Sequence, residues 1–323
     1  MSVEQVKRSK STGLVYDDVY LKHLTGPGHP ECPERLKAIM KRLEASGLLK
    51  RLVRIAPSVE PMEWIKTVHS AGYVKHVEKS CLSGQGYVDT MDSPACEESY
   101  DVALKAVSGV LSAVDAVMAG KVRNVFCAIR PPGHHALPEK AMGFCLFNNV
   151  AVAARYIQKK HKLKKILIVD WDVHHGNGTH DVFYDDPTVM YFSVHQYPHY
   201  PGSGIAAQTG SGAGKGTTIN VPLAMGSCDK ELEDSFKVSL FPAARKFKPD
   251  FVLISAGFDA HVADPLAGLG VTAKGFGRLT GMVMKIASES GENRIVSMLE
   301  GGYGLSGLAD SVEEHVSQMM KYE

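Results

Sequence analysis

The chain has 323 residues, of which 36 are Lys or Arg and 35 are Asp or Glu, giving a formal net charge of +1. This balance argues against a nucleic-acid-binding protein that works through bulk positive charge, and no apolar run reaches the ~20 residues of a membrane span. The N-terminal segment lacks the apolar stretch of a secretory signal, and none of the six cysteines forms a Cys-x-x-Cys pair, so we expect a cytoplasmic protein with reduced thiols.

Short β-rich runs alternate with longer helical patterns along the chain, which is typical of parallel α/β proteins. Nearly continuous apolar runs predict strands that are buried on both faces of a sheet. The predicted strands are Val122–Ile129, Lys165–Asp170, Val189–His195, Thr218–Val221, Phe251–Ser255 and Ile295–Leu299. The predicted helices are Pro33–Ala45, Ser99–Ala119, Asn148–Lys160, Lys230–Lys246, Thr272–Ser288 and Leu305–Met320.

These elements predict an α/β fold with a largely parallel multi-stranded sheet and helices on both of its faces. No boundary signal divides the chain, so we expect a short N-terminal tail at residues 1–11 followed by a single domain at residues 12–323. A chain of this length buries enough surface to fold without disulfides or structural metals.

Ionisable and glycine-rich segments follow four of the predicted strands. They contain the pair His134 and His135, the stretch from Asp170 to Asn177, Asp259, and Tyr303. Ligands of open α/β sheets bind outside the carboxyl ends of the strands. We therefore expect these four segments to converge on one site.

The second and third of these segments carry the side chains that suit a metal ion. Asp170, Asp172 and His174 occupy alternate positions, so in an extended segment their side chains point to one side. Adding Asp259 gives two carboxylates and one imidazole, and three protein ligands that leave a position for water are the mark of a catalytic rather than a structural zinc site. The competing interpretation is a solvated turn, and only the convergence with Asp259 favours the metal.

The remaining two segments suit acid–base chemistry. One imidazole of the pair His134 and His135 is a candidate general base if a carboxylate or amide orients it, although a structural pair at a tight turn is the alternative. Tyr303 follows Gly301-Gly302 and is a candidate hydrogen-bond donor to an oxyanion, although such a tyrosine is also a common turn residue. Nine other histidines are predicted to be structural or exposed, namely His29, His69, His76, His161, His180, His195, His199, His261 and His315.

Taken together, the motifs resemble the histone deacetylase superfamily, which includes acetylpolyamine amidohydrolases, and in particular its class II-like branch with bacterial relatives. The resemblance implies a single-domain arginase/deacetylase-like fold, and it extends from Thr12 to about Ala309. The segments that carry it are Thr12–Tyr16, His29–Leu36, Arg130–Ala136, Gly143–Asn149, Val169–Gly178, Ser255–His261, Asp264–Leu266 and Leu299–Tyr303.

The resemblance also implies the roles of the site residues. It implies that Asp172, His174 and Asp259 hold zinc and that Tyr303 polarises the scissile carbonyl. It pairs His134 with Asp170, and it makes His135 the general base and acid, oriented by Asn177. Because an amide carries no charge, His135 should hold its proton less tightly than it would beside an aspartate.

Further implied features concern the substrate tunnel and a second ion. Gly143, Phe144 and Tyr200 match the tunnel walls, Arg35 matches an arginine beneath the tunnel, and Asp89 or Asp92 matches an acidic rim residue. A structural potassium ion is implied mainly through backbone oxygens, beside Asp170, Asp172, His174, Ser193 and Val194.

The predicted function is zinc-dependent removal of an acetyl or other acyl group from acyl-lysine in proteins or peptides, by attack of a zinc-bound water. The alternative substrate is a small acetylated polyamine, and Fe²⁺ is an alternative metal because affinity alone does not settle metal choice. A protein of another class, a catalytically silent acyl-lysine reader, is the third possibility. No nucleic-acid or membrane partner is expected, and the sequence leaves the oligomeric state open.

Overall fold

The computed structural model describes residues 9–321 and places eight strands in one sheet. Every pair of neighbouring strands is parallel, and the strand order is β2-β1-β3-β8-β7-β4-β5-β6. The strands are β1 (Thr12–Val15), β2 (Val53–Ile55), β3 (Asn124–Cys127), β4 (Ile166–Asp170), β5 (Val189–Gln196), β6 (Thr218–Leu223), β7 (Phe251–Ala256) and β8 (Ile295–Leu299).

Helices connect the strands and cover the sheet. The helices at Ser99–Met118 and Asn149–His161 pack together, and the helix at Leu305–Lys321 packs against those at Glu34–Ala45 and Ala273–Ser290. Every residue of β3, β4, β5, β7 and β8 is buried, which requires cover on both faces of the sheet. The helices are α1 (Glu34–Ala45), α2 (Met62–Ile65), α3 (Ala71–Leu82), α4 (Ser99–Met118), α5 (Asn149–His161), α6 (Asn177–Phe183), α7 (Asp229–Ser235), α8 (Phe241–Phe247), α9 (Ala273–Ser290) and α10 (Leu305–Lys321).

Side-chain caps explain where several helices begin. The Asn148 side chain accepts a hydrogen bond from the Ala151 N–H at 3.0 Å and starts α5, and the Thr272 hydroxyl accepts one from the Gly275 N–H at 3.0 Å and starts α9. Each cap satisfies an amide that has no partner within its own helix. The side-chain amide nitrogen of the Asn148 cap also donates to the Ala136 carbonyl oxygen at 3.2 Å, which ties the start of α5 to the segment that follows His135.

The predicted α/β fold is confirmed. Among the predicted elements, the largest error is the single helix expected at Lys230–Lys246. The structure divides this stretch into α7, a π-helical turn at Phe236–Leu240, and α8. Pro242 explains part of the division, because it has no amide hydrogen for a continuous helical ladder. The sequence also gave no signal for β1 and β2, which are only four and three residues long, or for α3 and α6.

Residues 1–8 of the predicted tail lie outside the described residues, so the domain limits stay a prediction. Within residues 9–321, none of the helices combines the length and the apolar character that a membrane span requires.

Candidate active site

Four loops at the carboxyl edge of the sheet come together because they leave four neighbouring central strands. The strands β3, β8, β7 and β4 lie side by side in this order. The loops that follow them carry, respectively, the pair His134 and His135, Tyr303, Asp259, and the segment 170–177. The topology thus brings together residues that are up to about 170 positions apart in the chain.

Asp172, His174 and Asp259 form a group whose oxygen and nitrogen atoms lie within 4.8 Å of one another. The His174 Nδ1 atom is 3.0 Å from Asp172 Oδ1 and 3.2 Å from Asp259 Oδ2. The other carboxylate oxygens are held by the backbone: the Gly301 N–H donates to Asp172 Oδ2 at 2.8 Å, and the Val173 N–H donates to Asp259 Oδ1 at 2.9 Å. The backbone therefore fixes both carboxylates with one oxygen each turned toward His174.

Two observations show that this group suits a divalent cation. The buried Asp259 Oδ2 atom accepts no well-formed hydrogen bond from any residue between 9 and 321, and such an orphaned carboxylate oxygen is costly unless a cation compensates it. Glycines also line the group: a Cβ atom at Gly301 would lie 1.9 Å from Asp259 Oδ2, and one at Gly257 would lie 2.2 Å from Asp172 Oδ2. Any larger residue at either glycine would fill the space beside the carboxylates.

The electrostatics of the group support the same interpretation. Burial alone would lower the pKa of His174, but the neighbouring carboxylates of Asp172 and Asp259 outweigh it and raise this pKa to about 10. Burial and the charge of Asp172 raise the pKa of Asp259 to about 7. Two buried carboxylates with one imidazole between them thus attract positive charge strongly, which is the property of a site for a divalent metal.

His134 is held as the charged member of the histidine pair. Its Nδ1 atom is 3.0 Å from Asp170 Oδ2, which also accepts a hydrogen bond from the Tyr191 hydroxyl at 3.0 Å. Burial opposes the charged imidazole, but the charges of Asp170 and Asp172 raise the pKa of His134 well above its usual value. The surroundings of His134 therefore favour its doubly protonated, positively charged form.

His135 is held as the neutral member. Its Nδ1 atom lies 2.7 Å from Asn177 Oδ1, and Asn177 Nδ2 donates to Met142 Sδ at 3.3 Å. With the amide in this orientation, the Nδ1 of His135 is the donor and its Nε2 is left as a proton acceptor. Burial, together with the positive charges of His134 and His174, lowers the pKa of His135 well below its usual value.

The turn that carries Tyr303 is fixed from both sides. The buried Arg35 guanidinium donates to the carbonyl oxygens of Glu300 and Gly302 at 2.5 and 2.6 Å, and it lies 5.0 Å from the Tyr303 ring centroid. The Asp264 carboxylate accepts a hydrogen bond from the Tyr303 N–H at 2.6 Å. Burial and the charge of Asp259 raise the pKa of Tyr303 well above its usual value, so its phenol keeps its proton.

Two buried carboxylates that the sequence analysis did not single out brace these loops. Glu31 bridges the guanidinium groups of Arg35 and Arg130 at 3.0 and 2.5 Å. Glu300 accepts hydrogen bonds from the amides of Gly133 and His134 at 2.7 and 3.2 Å. Glu31 lies in the motif His29–Leu36 and Glu300 in the motif Leu299–Tyr303, and this position was the signal that could have identified them.

A cavity of about 250 Å³ opens next to the metal-ligand group. Its walls combine polar residues with the apolar or aromatic side chains of Phe144, Tyr200 and Leu266. The lining residues are Asp92, His135, Gly143, Phe144, His174, His199, Tyr200, Leu266 and Tyr303.

Only some of the residues that were expected to bind substrate line the cavity. Gly143, Phe144 and Tyr200 line it, whereas Arg35 lies behind the Tyr303 turn and contacts the backbone there. Of the two candidate rim acids, Asp92 is in the cavity wall, and the carboxylate of Asp89 accepts hydrogen bonds from the Ala141 amide and the His76 ring at 2.7 Å. The geometry therefore favours Asp92.

His199, which was predicted to be structural or exposed, also lines the cavity. Its ring stacks on that of His174 with centroids 5.1 Å apart, and its Nε2 atom is 3.1 Å from the Leu266 carbonyl oxygen. His199 follows the predicted strand at Val189–His195, so the rule about strand ends was the signal that could have found it. Ser193 and Val194, predicted beside potassium, lie within β5, where Ser193 pairs with Asp170 in register.

The open parallel sheet and the site at its carboxyl edge define a hydrolase of the arginase/deacetylase fold. Residues 29–319 match the family described as "Histone deacetylase domain". The chain belongs to this family, and it is a deacetylase, an enzyme that hydrolyses acetyl amide bonds. This assignment places it among enzymes rather than silent acyl-lysine readers.

Individual proteins show the same relationship. The chain is 41% identical to "Histone deacetylase 10, chloroplastic" of Oryza sativa subsp. japonica over 320 residues, covering 92% of this chain and 72% of that protein. It is 38% identical to a "Probable deacetylase" of Archaeoglobus fulgidus, covering 92% and 82%. Its structure is similar to the crystal structure of the HDA15 HD domain, with a TM-score of 0.91 and 37% identity over 96% of this chain and 88% of that one.

Proposed function

We propose that the protein removes the acetyl group from the side-chain amine of acyl-lysine in proteins or peptides, with zinc as its metal. The observation that carries this proposal is the cavity, which places aromatic walls next to His135, His174 and Tyr303. Apolar walls suit the alkyl chain of a lysine, and the polar groups at one end suit the amide.

Asp172, His174 and Asp259 would hold the zinc, because carboxylate oxygens and imidazole nitrogens are zinc ligands and three protein ligands leave a position for water. When bound there, zinc would supply Lewis acidity, which polarises a carbonyl and lowers the pKa of water toward about 7. We keep Fe²⁺ as an alternative metal. We also keep as a proposal a structural potassium ion, held mainly by backbone oxygens beside Asp170, Asp172, His174, Ser193 and Val194.

His135 would move the proton in both halves of the reaction. Its Nε2 accepts a proton from the attacking water, and it then donates this proton to the departing amine. The hydrogen bond from Nδ1 to Asn177 keeps the ring in the tautomer that this requires. His134, paired with Asp170, would provide positive charge next to the developing oxyanion without titrating itself.

Tyr303 would stabilise the tetrahedral oxyanion by donating its phenolic hydrogen. Its raised pKa keeps that hydrogen in place at neutral pH. Arg35 and Asp264 would serve as positioning residues, because they hold the backbone on both sides of the tyrosine.

An acetylated polyamine is the second candidate substrate, and one observation favours it. Hydrogen bonds from Thr90, Tyr200 and the Gly143 amide outweigh burial and lower the pKa of Asp92, so the cavity wall carries a negative charge that would attract an ammonium group. The same chemistry would serve both substrates. A cytoplasmic location stays a prediction, and relatives described as chloroplastic leave it open.

The test is side-by-side hydrolysis of an acetyl-lysine peptide and N-acetylputrescine by the zinc-loaded protein. We expect the peptide to be preferred, and we expect Tyr303→Phe to lower kcat by about 10²–10³, as for one lost oxyanion donor. Preference for N-acetylputrescine would move the substrate class to polyamines. Near-full activity of Tyr303→Phe would contradict the proposed role of the phenol.

A further inference from the structure

Asp92 lies between the two aromatic walls of the cavity. Its Oδ2 atom accepts a hydrogen bond from the Tyr200 hydroxyl at 2.8 Å and one from the Gly143 N–H at 3.2 Å. Its backbone carbonyl oxygen accepts a third from the Phe144 N–H at 2.9 Å. We call Asp92, Gly143, Phe144 and Tyr200 the mouth cluster.

The Phe144 wall needs this support because its backbone conformation is unfavourable. Phe144 has φ = +67° and Gly143 has φ = +56°, and a bulky residue in the left-handed region is strained. A side chain at Gly143 is also excluded, because its Cβ would lie 2.3 Å from Cδ2 of His135. Asp92 accepts from both amides of this turn and so stabilises the conformation that points Phe144 into the cavity wall.

The Tyr200 wall is held through its hydroxyl. Its ring packs edge-on against the His135 ring, with centroids 5.2 Å apart, yet 39% of the residue's surface is exposed. A half-exposed aromatic ring on a loop has little packing to fix it, so the charge-assisted bond to Asp92 is its strongest restraint. The partners lie 108 positions apart in the chain.

The carboxylate of Asp92 is therefore used mainly inside the protein. Its Oδ2 atom accepts two hydrogen bonds, which fills both lone-pair positions, and its Oδ1 atom accepts one from the Thr90 hydroxyl. Only one acceptor position, on Oδ1, is left for a substrate. If Asp92 anchored the backbone of a peptide substrate, it would use this one position. Its contacts with Tyr200, Gly143 and Phe144 instead hold the walls of the cavity.

From this geometry we infer that Asp92 and the Tyr200 hydroxyl together set the width of the cavity and so select substrates with a slender, unbranched alkyl chain. This inference rests on the proposed function and refines its substrate class. Asp92 is a positioning residue here, because it acts through Phe144 and Tyr200. Losing either partner frees one wall and admits a bulkier chain.

The test uses two substrates without a peptide backbone, N-acetylbutylamine and N-acetyl-cyclohexylmethylamine, with the zinc-loaded full chain. We expect the wild type to prefer the linear amide. Tyr200→Phe and Asp92→Asn should each lower this preference in kcat/KM by about tenfold, mainly through KM, as expected for one lost charge-assisted hydrogen bond. Tyr197→Phe is the matched control, because it removes a hydroxyl from the same loop outside the cavity lining, and it should leave the preference unchanged.

A second measurement does not depend on turnover. Calorimetric affinities for pentanohydroxamic acid and 3-cyclohexylpropanohydroxamic acid should show the same loss of preference in the two variants. If the wild type hydrolysed neither an acetyl-lysine peptide nor the linear amide, the proposed function would fail, while this affinity ratio would still test the mouth cluster. The inference is overturned if both variants keep the wild-type ratio and only the KM for an acetyl-lysine peptide rises, because Asp92 would then be an anchor for the peptide backbone alone.

Discussion

His134 and His135 are adjacent in the chain and buried alike, with ring centroids 4.1 Å apart, yet their pKa values shift in opposite directions. Burial disfavours the charged form of both imidazoles. His134 faces the carboxylate of Asp170, whereas His135 faces the amide of Asn177. Because both rings are buried, the difference between their pKa values comes from their neighbours: carboxylates face His134, whereas His135 faces an amide and two positively charged imidazoles.

The two rings also influence each other. A positive charge on His134 makes a second charge next to it unfavourable, and this repulsion is part of the reason why the pKa of His135 is low. The Asp170 partner of His134 thus helps to keep His135 available as a base. Changes at either partner should therefore be visible in the chemistry of His135.

The largest effect should follow from removing the neutral ring altogether. His135→Ala should lower kcat by about 10²–10⁴, the contribution typical of one general acid–base group. Steady-state kinetics on an acetyl-lysine peptide would measure this loss. His76→Ala is the control, because the His76 ring bonds to Asp89 outside the cavity and its loss should leave kcat unchanged. An equal rate for His135→Ala and wild type would contradict the role of His135.

His315 is another buried histidine, and its hydrogen-bond partners are hydroxyl groups. His315 lies between the hydroxyls of Thr280 and Ser297, at 2.6 and 2.9 Å, and burial lowers its pKa to about 3. An unfolded histidine has a pKa of about 6.5. The stability that neutral His315 contributes is therefore complete above about pH 6.5 and is lost as the pH falls toward 3.

Urea unfolding at two pH values measures this contribution. Between about pH 7 and pH 4.5, the wild type should lose about 3 kcal/mol more unfolding free energy than His315→Gln, because each unit of pKa shift corresponds to about 1.4 kcal/mol. Comparing the change with pH, rather than the absolute stability, removes the cost of the substitution itself. The same pH dependence in both proteins would show that His315 does not stay neutral on folding.

The smallest effect should come from giving both histidines the same kind of partner. Asn177→Asp places a carboxylate beside His135 and should raise its pKa. A base with a higher pKa stays protonated, and therefore inactive, up to a higher pH. The acidic limb of the kcat/KM profile should therefore move to higher pH, and the rate should fall about tenfold for each pH unit below the new pKa. A profile over the acidic to neutral range checks this, and an unmoved limb would show that the partner of His135 does not control its proton.

The central part of the fold could be predicted from the sequence because its signals are local. The runs at 166–170, 251–255 and 295–299 are short, apolar and bounded by turn residues, and the structure has strands there. Their ends directed attention to Asp172, His174 and Asp259, which the structure brings together. β1 and β2 have no such signal, because four and three residues cannot display a period.

The parts of the site that escaped prediction depend on contacts between distant segments. Nothing near Tyr200 in the sequence shows that its hydroxyl reaches Asp92, and nothing near Glu31 shows that it bridges Arg35 and Arg130. His199 was predicted to be structural or exposed, and a single histidine in a loop has no pattern that would distinguish it from the other histidines. Such roles become visible only when the strand order is known.

The strand order also has a consequence for how the protein matures. The four loops of the site leave strands that are neighbours in the sheet but are spread from residue 124 to residue 299. Contacts over such long chain separations form slowly. A nascent chain that ends before β8 lacks Tyr303 and the carbonyl groups that hold Arg35. Catalytic activity should therefore arise late and in one step, when the centre of the sheet closes.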